Sequence, residues 1–424
     1  MKTSHSFPST FPLLSAFLLP VALTLAQPPA PGRGAPPATT PQPPPAAPPA
    51  PPTPPAALAP AITGGSLPGL SDEQLADFLD GRTDFVTPET PASGLGPIFN
   101  DVSCVACHSA PTTGGASRRT VTRFGHTTNG SFDPLEALGG SLLQARAIRG
   151  VPVEVVPAAA NVVSLRLTTP LFGAGLIEAI PDATIIAQSH APKPAGIRGK
   201  VSVVTEVATG EERVGRFGWK AQQATLLAFS GDAYRNEMGI TNRLFPTENA
   251  PNGNTAAIAR FIKPTGVDDA IDPLTGRGDI DRVAIYMRLL APPPSTPARG
   301  TAVRGAQIFA SIACAACHLP AMTTGQNAIA ALSEQRVELY SDLLLHDMGS
   351  LGDGIAQGSA STTEMRTAPL WGLRARPVWL HDGRARTIDE AIRAHDGEAA
   401  NARSAYVQLN TADRQSLLDF LNTL

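Results

Sequence analysis

Cysteine and charge are what this chain has least of. Only 4 of its 424 residues are Cys, too few for a scaffold stapled by disulfides. Charged residues make up 16%, with 33 basic side chains against 36 acidic ones. The formal net charge of -3 leaves no basic excess of the kind that nucleic-acid binding requires. Long apolar runs are also missing, which excludes a polytopic membrane protein. What is present in quantity is Pro, 42 residues, and an ordinary 42% of hydrophobic residues, enough for a globular core. At roughly 150 residues per domain, the length suggests two or three domains.

Sixteen of the 42 prolines lie between Pro28 and Pro60, a stretch whose only charge is Arg33. Such a run cannot bury a core and favours extended polyproline II, so residues 27–63 read as a disordered, semi-rigid spacer. Residues 1–26 read as a secretory signal peptide: one Lys, an apolar segment from Phe11 to Ala26, and small residues near the expected cleavage point at Ala26. The alternative is an uncleaved anchor, but the segment is short for a span of about 20 residues and contains Pro12 and Pro20. The expectation is an exported protein of the periplasm or cell envelope, not integral to the membrane once the signal is removed.

An exported chain would ordinarily spend its cysteines on disulfides. Here all four fall in two identical spacings, Cys104-Val-Ala-Cys107-His108 and Cys314-Ala-Ala-Cys317-His318. This is the pattern of c-type haem attachment. Two thiols three residues apart add across the haem vinyl groups, and the adjoining imidazole ligates the iron. With 8 His in the chain, a His follows a given Cys pair by chance about 2% of the time. Two redox-active dithiols, or one zinc site built from all four cysteines, are the alternatives; neither needs a His after each pair. Two covalent haem c groups are expected.

Ile98 and Phe99 stand before the first motif as Ile308 and Phe309 stand before the second, so each Phe is expected to pack on its haem edge. The chain therefore reads as mainly α, with two cytochrome c-like haem domains and a minor β insert in the first. The domains span residues 64–295 and 296–424, divided at the Pro-rich Ala291–Pro297. A hairpin is expected over Val201–Phe217 around Gly210, and a further strand within Val162–Leu171. Helices are expected at Asp72–Phe78, Gln222–Phe229, Arg277–Leu290, Thr387–Ala394 and Ala412–Leu424, with a capping box at Thr387 and Glu390.

Three stretches carry a family resemblance: Gly215-Arg-Phe-Gly-Trp-Lys through Asn236-Glu237-Met238-Gly239, Leu343-Leu-Leu-His-Asp-Met-Gly349, and Trp379-Leu-His-Asp-Gly-Arg through Ala391. In order, they make most of Gly94–Leu424 similar to the dihaem c-type oxidoreductases also called "predicted thiol oxidoreductases". The chain more distantly resembles the bacterial dihaem cytochrome c peroxidases and the dihaem enzyme that matures methylamine dehydrogenase. The resemblance implies a catalytic N-terminal haem held by His108 and an electron-transfer C-terminal haem held by His318. It also implies an inter-haem Trp at Trp219, a distal acid/base at Glu237, and a calcium ion held partly by carbonyls around Thr367-Ala-Pro369. Without it, Trp219 is equally a core aromatic and Glu237 a helix cap or surface carboxylate.

For the sixth ligand of the second haem the candidates are Met322, His346, Met348, Met365, His381 and His395. The family position of the distal Met falls on His395, which implies bis-histidine ligation; His346 or Met348 is the runner-up, and His381 is expected to make a structural hydrogen bond. His126 is a further imidazole that could cap the first haem, or an ordinary loop His. A small redox protein is the expected electron donor, and peroxide or another small oxidant the expected substrate. The competing readings are a pure electron-transfer cytochrome and oxidation of another substrate at the same haem. Because thioethers consume both cysteine pairs, the holoprotein should gain two haem masses by mass spectrometry and show no titratable thiol. One increment, or two reactive thiols, would overturn the haem count.

Overall fold

Ser71 opens the first helix, α1 (Asp72–Val86), with a reciprocal capping box: its hydroxyl accepts from the Gln74 N–H, and the Gln74 side chain accepts from the Ser71 N–H. The computed structural model describes residues 63–424 apart from residue 265, so the signal peptide and nearly all of the spacer lie outside the described residues. Eight further α-helices follow: α2 (Ala174–Glu178), α3 (Asp182–His190), α4 (Leu226–Met238), α5 (Asp279–Leu289), α6 (Thr301–Ser311), α7 (Ile388–Arg393), α8 (Ala400–Gln408) and α9 (Thr411–Leu421). Among the described residues no helix is long and apolar enough to cross a membrane.

The strands are short and antiparallel. A three-stranded sheet has the order β3 (Ser131–Asp133), β2 (Thr120–Thr128), β5 (Val162–Leu167), with Arg123 opposite Ser164 and His126 opposite Asp133. The other ladders are pairs: β1 (Ile98–Phe99) with β4 (Arg146–Ala147), and β6 (Val203–Thr205) with β7 (Glu212–Val214), the expected hairpin. In the second half β8 (Met322–Thr323) pairs with β9 (Arg336–Val337), and β10 (Leu345–Asp347) with β11 (Glu364–Arg366). The expectation of a mainly α fold is thus met in part. Helix and strand are mixed, and strands are not confined to an insert in the first half. Long connections between helices must pair their buried N–H and C=O groups, and two- or three-residue ladders do so.

Two helix pairs repeat one packing device. On α1, a Cβ at Gly81 would stand 2.0 Å from the Arg282 carbonyl oxygen of α5; on α6, a Cβ at Gly305 would stand 1.9 Å from the Ser416 oxygen of α9. Glycine lets each pair of backbones touch. Four residues further along lie Phe85 on α1 and Phe309 on α6, each on the same face as its glycine. Phe85 packs on Tyr286 of α5 at 4.9 Å between centroids, and Phe309 on Phe420 of α9 at 5.4 Å. Each Phe also leans on the histidine of its own CxxCH motif: Phe85 to His108 at 6.0 Å, Phe309 to His318 at 6.5 Å. This corrects the sequence alignment of Phe99 with Phe309. Phe99 lies in β1, because the chain inserts a loop and a strand between the first helix and its cysteines.

The largest buried cluster joins α1, α4 and α5 to Met322, Leu332, Val337, Leu343 and Trp371 from beyond residue 296. A smaller one gathers α6 and α9 around Phe309, Tyr406, Leu417 and Phe420. At α7, Thr387 caps as expected, accepting from the Glu390 N–H at 3.1 Å, but the Glu390 carboxylate reaches the Arg386 N–H rather than that of Thr387. Gly305→Ala is expected to lower stability by about 1–3 kcal/mol, since a backbone carbonyl cannot swing aside as a side chain would. Denaturant unfolding of the holoprotein reads this, and an unchanged midpoint would mean that α6 and α9 separate without cost.

Candidate haem sites

Cys104–Ala106 and Cys314–Ala316 each form a single 3-10 turn, with the Cys N–H of the second thiol donating to the carbonyl of the first in the Cys104 turn at 3.1 Å. The histidine that follows bonds the same carbonyl, His108 N–H and His318 N–H each at 2.9 Å. Both thiols and the imidazole of each motif are thereby held on one side of one turn. Burial pushes the thiols of Cys104 and Cys314 up to about 12 and that of Cys107 to about 11. Cysteines so protonated are poor nucleophiles, opposite to what a dithiol redox centre needs. Among the described residues no group of three or more His, Cys, Asp or Glu could hold a metal ion, so the four cysteines do not converge on one zinc site.

His108 Nδ1 stands 3.1 Å from the Gly115 carbonyl oxygen, and His318 Nδ1 3.1 Å from that of Tyr340. Burial pushes both imidazoles down to about 4, so they are neutral at pH 7. A neutral ring whose Nδ1–H is given to a carbonyl offers Nε2 to a metal. His395 repeats the arrangement, its Nδ1 lying 2.8 Å from the Ala391 oxygen within the last turn of α7, and burial lowers its pKa too. Two imidazoles that ligate one metal from opposite sides stand roughly 6 Å apart between centres, given metal–nitrogen bonds of about 2 Å. His318 and His395 stand 6.4 Å apart.

Cys314, Cys317, His318 and His395 line one predominantly apolar cavity with Phe309, Leu373, Trp379, Leu380, Ile388 and Leu417. Into it also face Arg366 and Arg376, whose guanidiniums burial pushes down to about 10 each. Neither has a carboxylate within ion-pair distance among the described residues, and Arg376 Nε, Trp379 Nε1 and His381 Nε2 are buried without a partner. A flat apolar macrocycle with anionic carboxylates at its edge matches this lining: apolar walls for the ring, orphaned donors for the carboxylates, facing imidazoles for the metal. The residues present fit haem.

The other candidate ligands are placed differently. His346 is clamped between two carboxylates, Nε2 at 3.0 Å from Asp342 and Nδ1 at 2.8 Å from Glu398. Despite burial, Asp342, the Cys317 sulfur near Nδ1 and Glu398 raise it to about 12, and its hydrogen bond and charge hold Glu398 down at about 2. With both nitrogens bonded, His346 is a structural imidazolium, not a runner-up ligand. Its partner Glu398 lies three residues beyond His395, so the clamp fixes the segment carrying that imidazole. Met348 and Met365 line the cavity, whereas Met322 is buried in the larger core. His381 lacks the expected hydrogen bond at Nε2 and stands edge-on to Trp219 at 6.3 Å. His126, on β2, bonds the Ala159 oxygen through Nδ1 and Thr128 through Nε2.

Trp219 is gripped from both sides. Its Nε1–H donates to the Leu167 oxygen of β5 at 2.8 Å, and its carbonyl accepts from the Arg366 N–H of β11. The next residue, Lys220, is fully buried, pairs with Asp353 at 2.9 Å and donates to the carbonyls of Ser361 and Glu364. The indole lines the cavity that holds His318 and His395, and a smaller one beyond it that reaches Thr169, Leu171 and Phe217.

Glu237 is the penultimate residue of α4, which Gly239 closes at φ 69°. A Cβ at Gly96 would lie 1.9 Å from the Gly239 oxygen, so the loop before Cys104 docks directly on this helix end. Asn100 and Asp101 N–H groups donate to the Glu237 carbonyl at 2.7 and 3.2 Å, and the Asn100 amide donates to its carboxylate at 2.8 Å. Burial raises the Glu237 pKa, and its charge in turn raises that of Cys107. The expected calcium does not fit. The Thr367 oxygen accepts from Ser341 and Arg366, and the Pro369 oxygen from Arg376, so guanidiniums stand where a cation would be bound.

Residues 158–424, more than half of the chain, match the family model described as "Di-haem oxidoreductase, putative peroxidase". The chain belongs to this family. The matched span holds the second CxxCH motif, Trp219, Glu237 and His395, and begins after the first CxxCH motif. No curated protein matches the chain. Among solved structures it is similar to hydrazine synthase of Kuenenia stuttgartiensis (14% identity, 87% of this chain, 99% of that chain, TM-score 0.34). It is similar also to a variant of the dihaem peroxidase BthA of Burkholderia thailandensis (14%, 86% and 92%, 0.38). A third is a MauG-like protein associated with microbial copper homeostasis (15%, 88% and 94%, 0.37).

Sequence reasoning missed Phe85, Asn100, the Asp342–His346–Glu398 clamp and the Arg366–Arg376 pair. Only the first had a signal, the Gly81-to-Phe85 spacing that recurs at Gly305 and Phe309. His395→Ala should convert one low-spin haem to high spin in electron paramagnetic resonance without loss of haem, whereas His346→Gln should leave that signal low-spin. The reverse result would exchange the two roles.

Proposed function

We propose that this chain is an exported dihaem c-type oxidoreductase of peroxidase type. In this reading residues 64–295 form the catalytic domain and residues 296–424 the electron-transfer domain. Thioethers at Cys104 and Cys107, and at Cys314 and Cys317, would hold the two haems, with His108, His318 and His395 on the irons. When bound, haem supplies the redox chemistry. What the chain adds is proton handling, electron spacing and exclusion of water.

The observation that carries the reading is the seating of Glu237. A carboxyl raised by burial, oriented by the Asn100 amide and tied by its own carbonyl to the loop before Cys104, can take a proton from one peroxide oxygen and return it to the other. Asn100 is in turn fixed, since its Oδ1 accepts from the Ala145 N–H at 3.0 Å. Trp219, shared by two cavities and held at its Nε1, offers an aromatic bridge for electrons between the halves. Held by both His318 and His395, the second haem would suit electron exchange with a small redox protein better than reaction with substrate. Peroxide or another small oxidant would react at the first.

Glu237→Gln keeps the shape and removes the proton acceptor, so peroxide turnover should fall roughly 10²–10⁴-fold with both haems retained. In the native protein the ionised base is lost as pH falls through a value above the usual 4.5, so the acid limb should lie above that value. Undiminished turnover in the variant would leave the electron-transfer reading in its place.

A further inference from the structure

Beside the three-stranded sheet lies a cavity that Glu237, Trp219 and the three proposed ligand histidines do not line. It encloses about 710 Å³ and is bounded by β2, the turn after β3 and the C-terminal end of α4. That volume falls within the roughly 300–1,000 Å³ of small-molecule sites. We propose that this cavity binds a small organic carboxylate, held by the guanidiniums of Arg123 and Arg235 and covered by Phe132 and Leu142.

Several other buried or half-buried arginines pair with a carboxylate, while Arg366 and Arg376, at the haem cavity, do not. Arg166 bonds Asp353, Arg288 bonds Glu178, and Arg216 bonds Asp182. Arg123 and Arg235 have no carboxylate within 4 Å among the described residues, and the Nε of each is buried without a partner. The one side-chain hydrogen bond of Arg123 is long, 3.4 Å to Ser141 Oγ. Burial with no carboxylate in direct contact is costly and pushes the Arg123 guanidinium down to about 10, although the charges of Glu237, Asp232 and Asp353 act in the other direction. Two such groups facing one cavity supply the forked donors that match a carboxylate.

The surrounding charges leave that role open. The charges of Asp232 and Glu237 are near enough to be felt by Arg123, and that of Asp232 by Arg235, but among the described residues neither carboxylate makes an ion pair with either guanidinium. Glu136 is the only acidic residue in the wall, and it sits exposed at the rim, where water screens it. The apolar side chains of Phe132 and Leu142 give the ligand a hydrophobic body to match, and buried Gln144 adds an amide. An inorganic anion would use the arginines and leave the rest of the cavity unfilled. The inference concerns binding alone and holds whatever reaction the haems perform.

Benzoate is a suitable probe and benzamide its neutral isostere. Calorimetric titration of the ferric dihaem holoprotein, without peroxide, should give one benzoate site per chain and at least about tenfold weaker binding of benzamide. Arg123→Gln should weaken benzoate at least tenfold with the haem spectrum unchanged, and Arg235→Gln should do likewise. No benzoate binding, equal binding of both probes, or affinity unchanged in the two variants would overturn the proposal. So would benzoate binding that shifts the haem absorption and survives Arg123→Gln, since the carboxylate would then be on iron. The probe comparison on the native protein decides the matter even if a variant fails to fold.

Discussion

The three imidazoles proposed as iron ligands are each pinned through Nδ1 to a backbone carbonyl, and everything proposed for the chemistry of this molecule depends on that contact. The carbonyls of Gly115, Tyr340 and Ala391 each fix a tautomer and a ring orientation for His108, His318 and His395. A free imidazole rotates and titrates near pH 6.5; a buried one bonded at Nδ1 does neither in the physiological range. For His318 and His395 the outcome is a pair of rings at a separation that one metal atom can span. Burial alone would have produced two neutral imidazoles with no reason to face one another.

What places the rings is helix packing rather than the CxxCH turns. In each half a glycine lets two helix backbones meet, and the aromatic residue four positions on reaches past the crossing to the motif histidine. The turns themselves are three residues long and could not fix an imaginary axis through the iron by themselves. The second half adds the buried His346 imidazolium, whose two carboxylate partners, in the loop before β10 and in the turn at Gly397–Ala399, lie far apart in sequence. A buried charge pair is weak as a source of stability but demanding in geometry. Here that demand falls on the segment next to His395.

The parts of the site legible in the sequence were those with local spacing: the two CxxCH motifs, the Thr387 cap, the hairpin turning at Gly210, and most helix positions. The order of motifs along the chain brought Trp219, Glu237 and His395 into view. What stayed hidden was set by contacts across long separations. Counting back from the cysteines selected Phe99, because an inserted strand between α1 and Cys104 leaves no mark on the count. Within the Asp342–His346–Glu398 clamp, His346 reads in the sequence as a candidate ligand, since a histidine in a motif does not reveal whether its nitrogens are already bonded. The short second-half strands carried no alternation long enough to read.

The arginines complete the argument from charge. A protein of this modest charge content buries several guanidiniums, and those of Arg166, Arg216 and Arg288 are matched by a carboxylate of the chain. Arg366 and Arg376 are not, and they line the cavity that holds Cys314, Cys317 and His318. An unpaired buried cation destabilises a fold unless something outside the chain supplies the anion. Both guanidiniums also border the smaller cavity on the far side of Trp219, so they stand at the wall between the two spaces. The same fixed charge that would hold the acidic edge of a macrocycle then bears on the indole held between β5 and β11, and couples cofactor binding to the path that electrons would take.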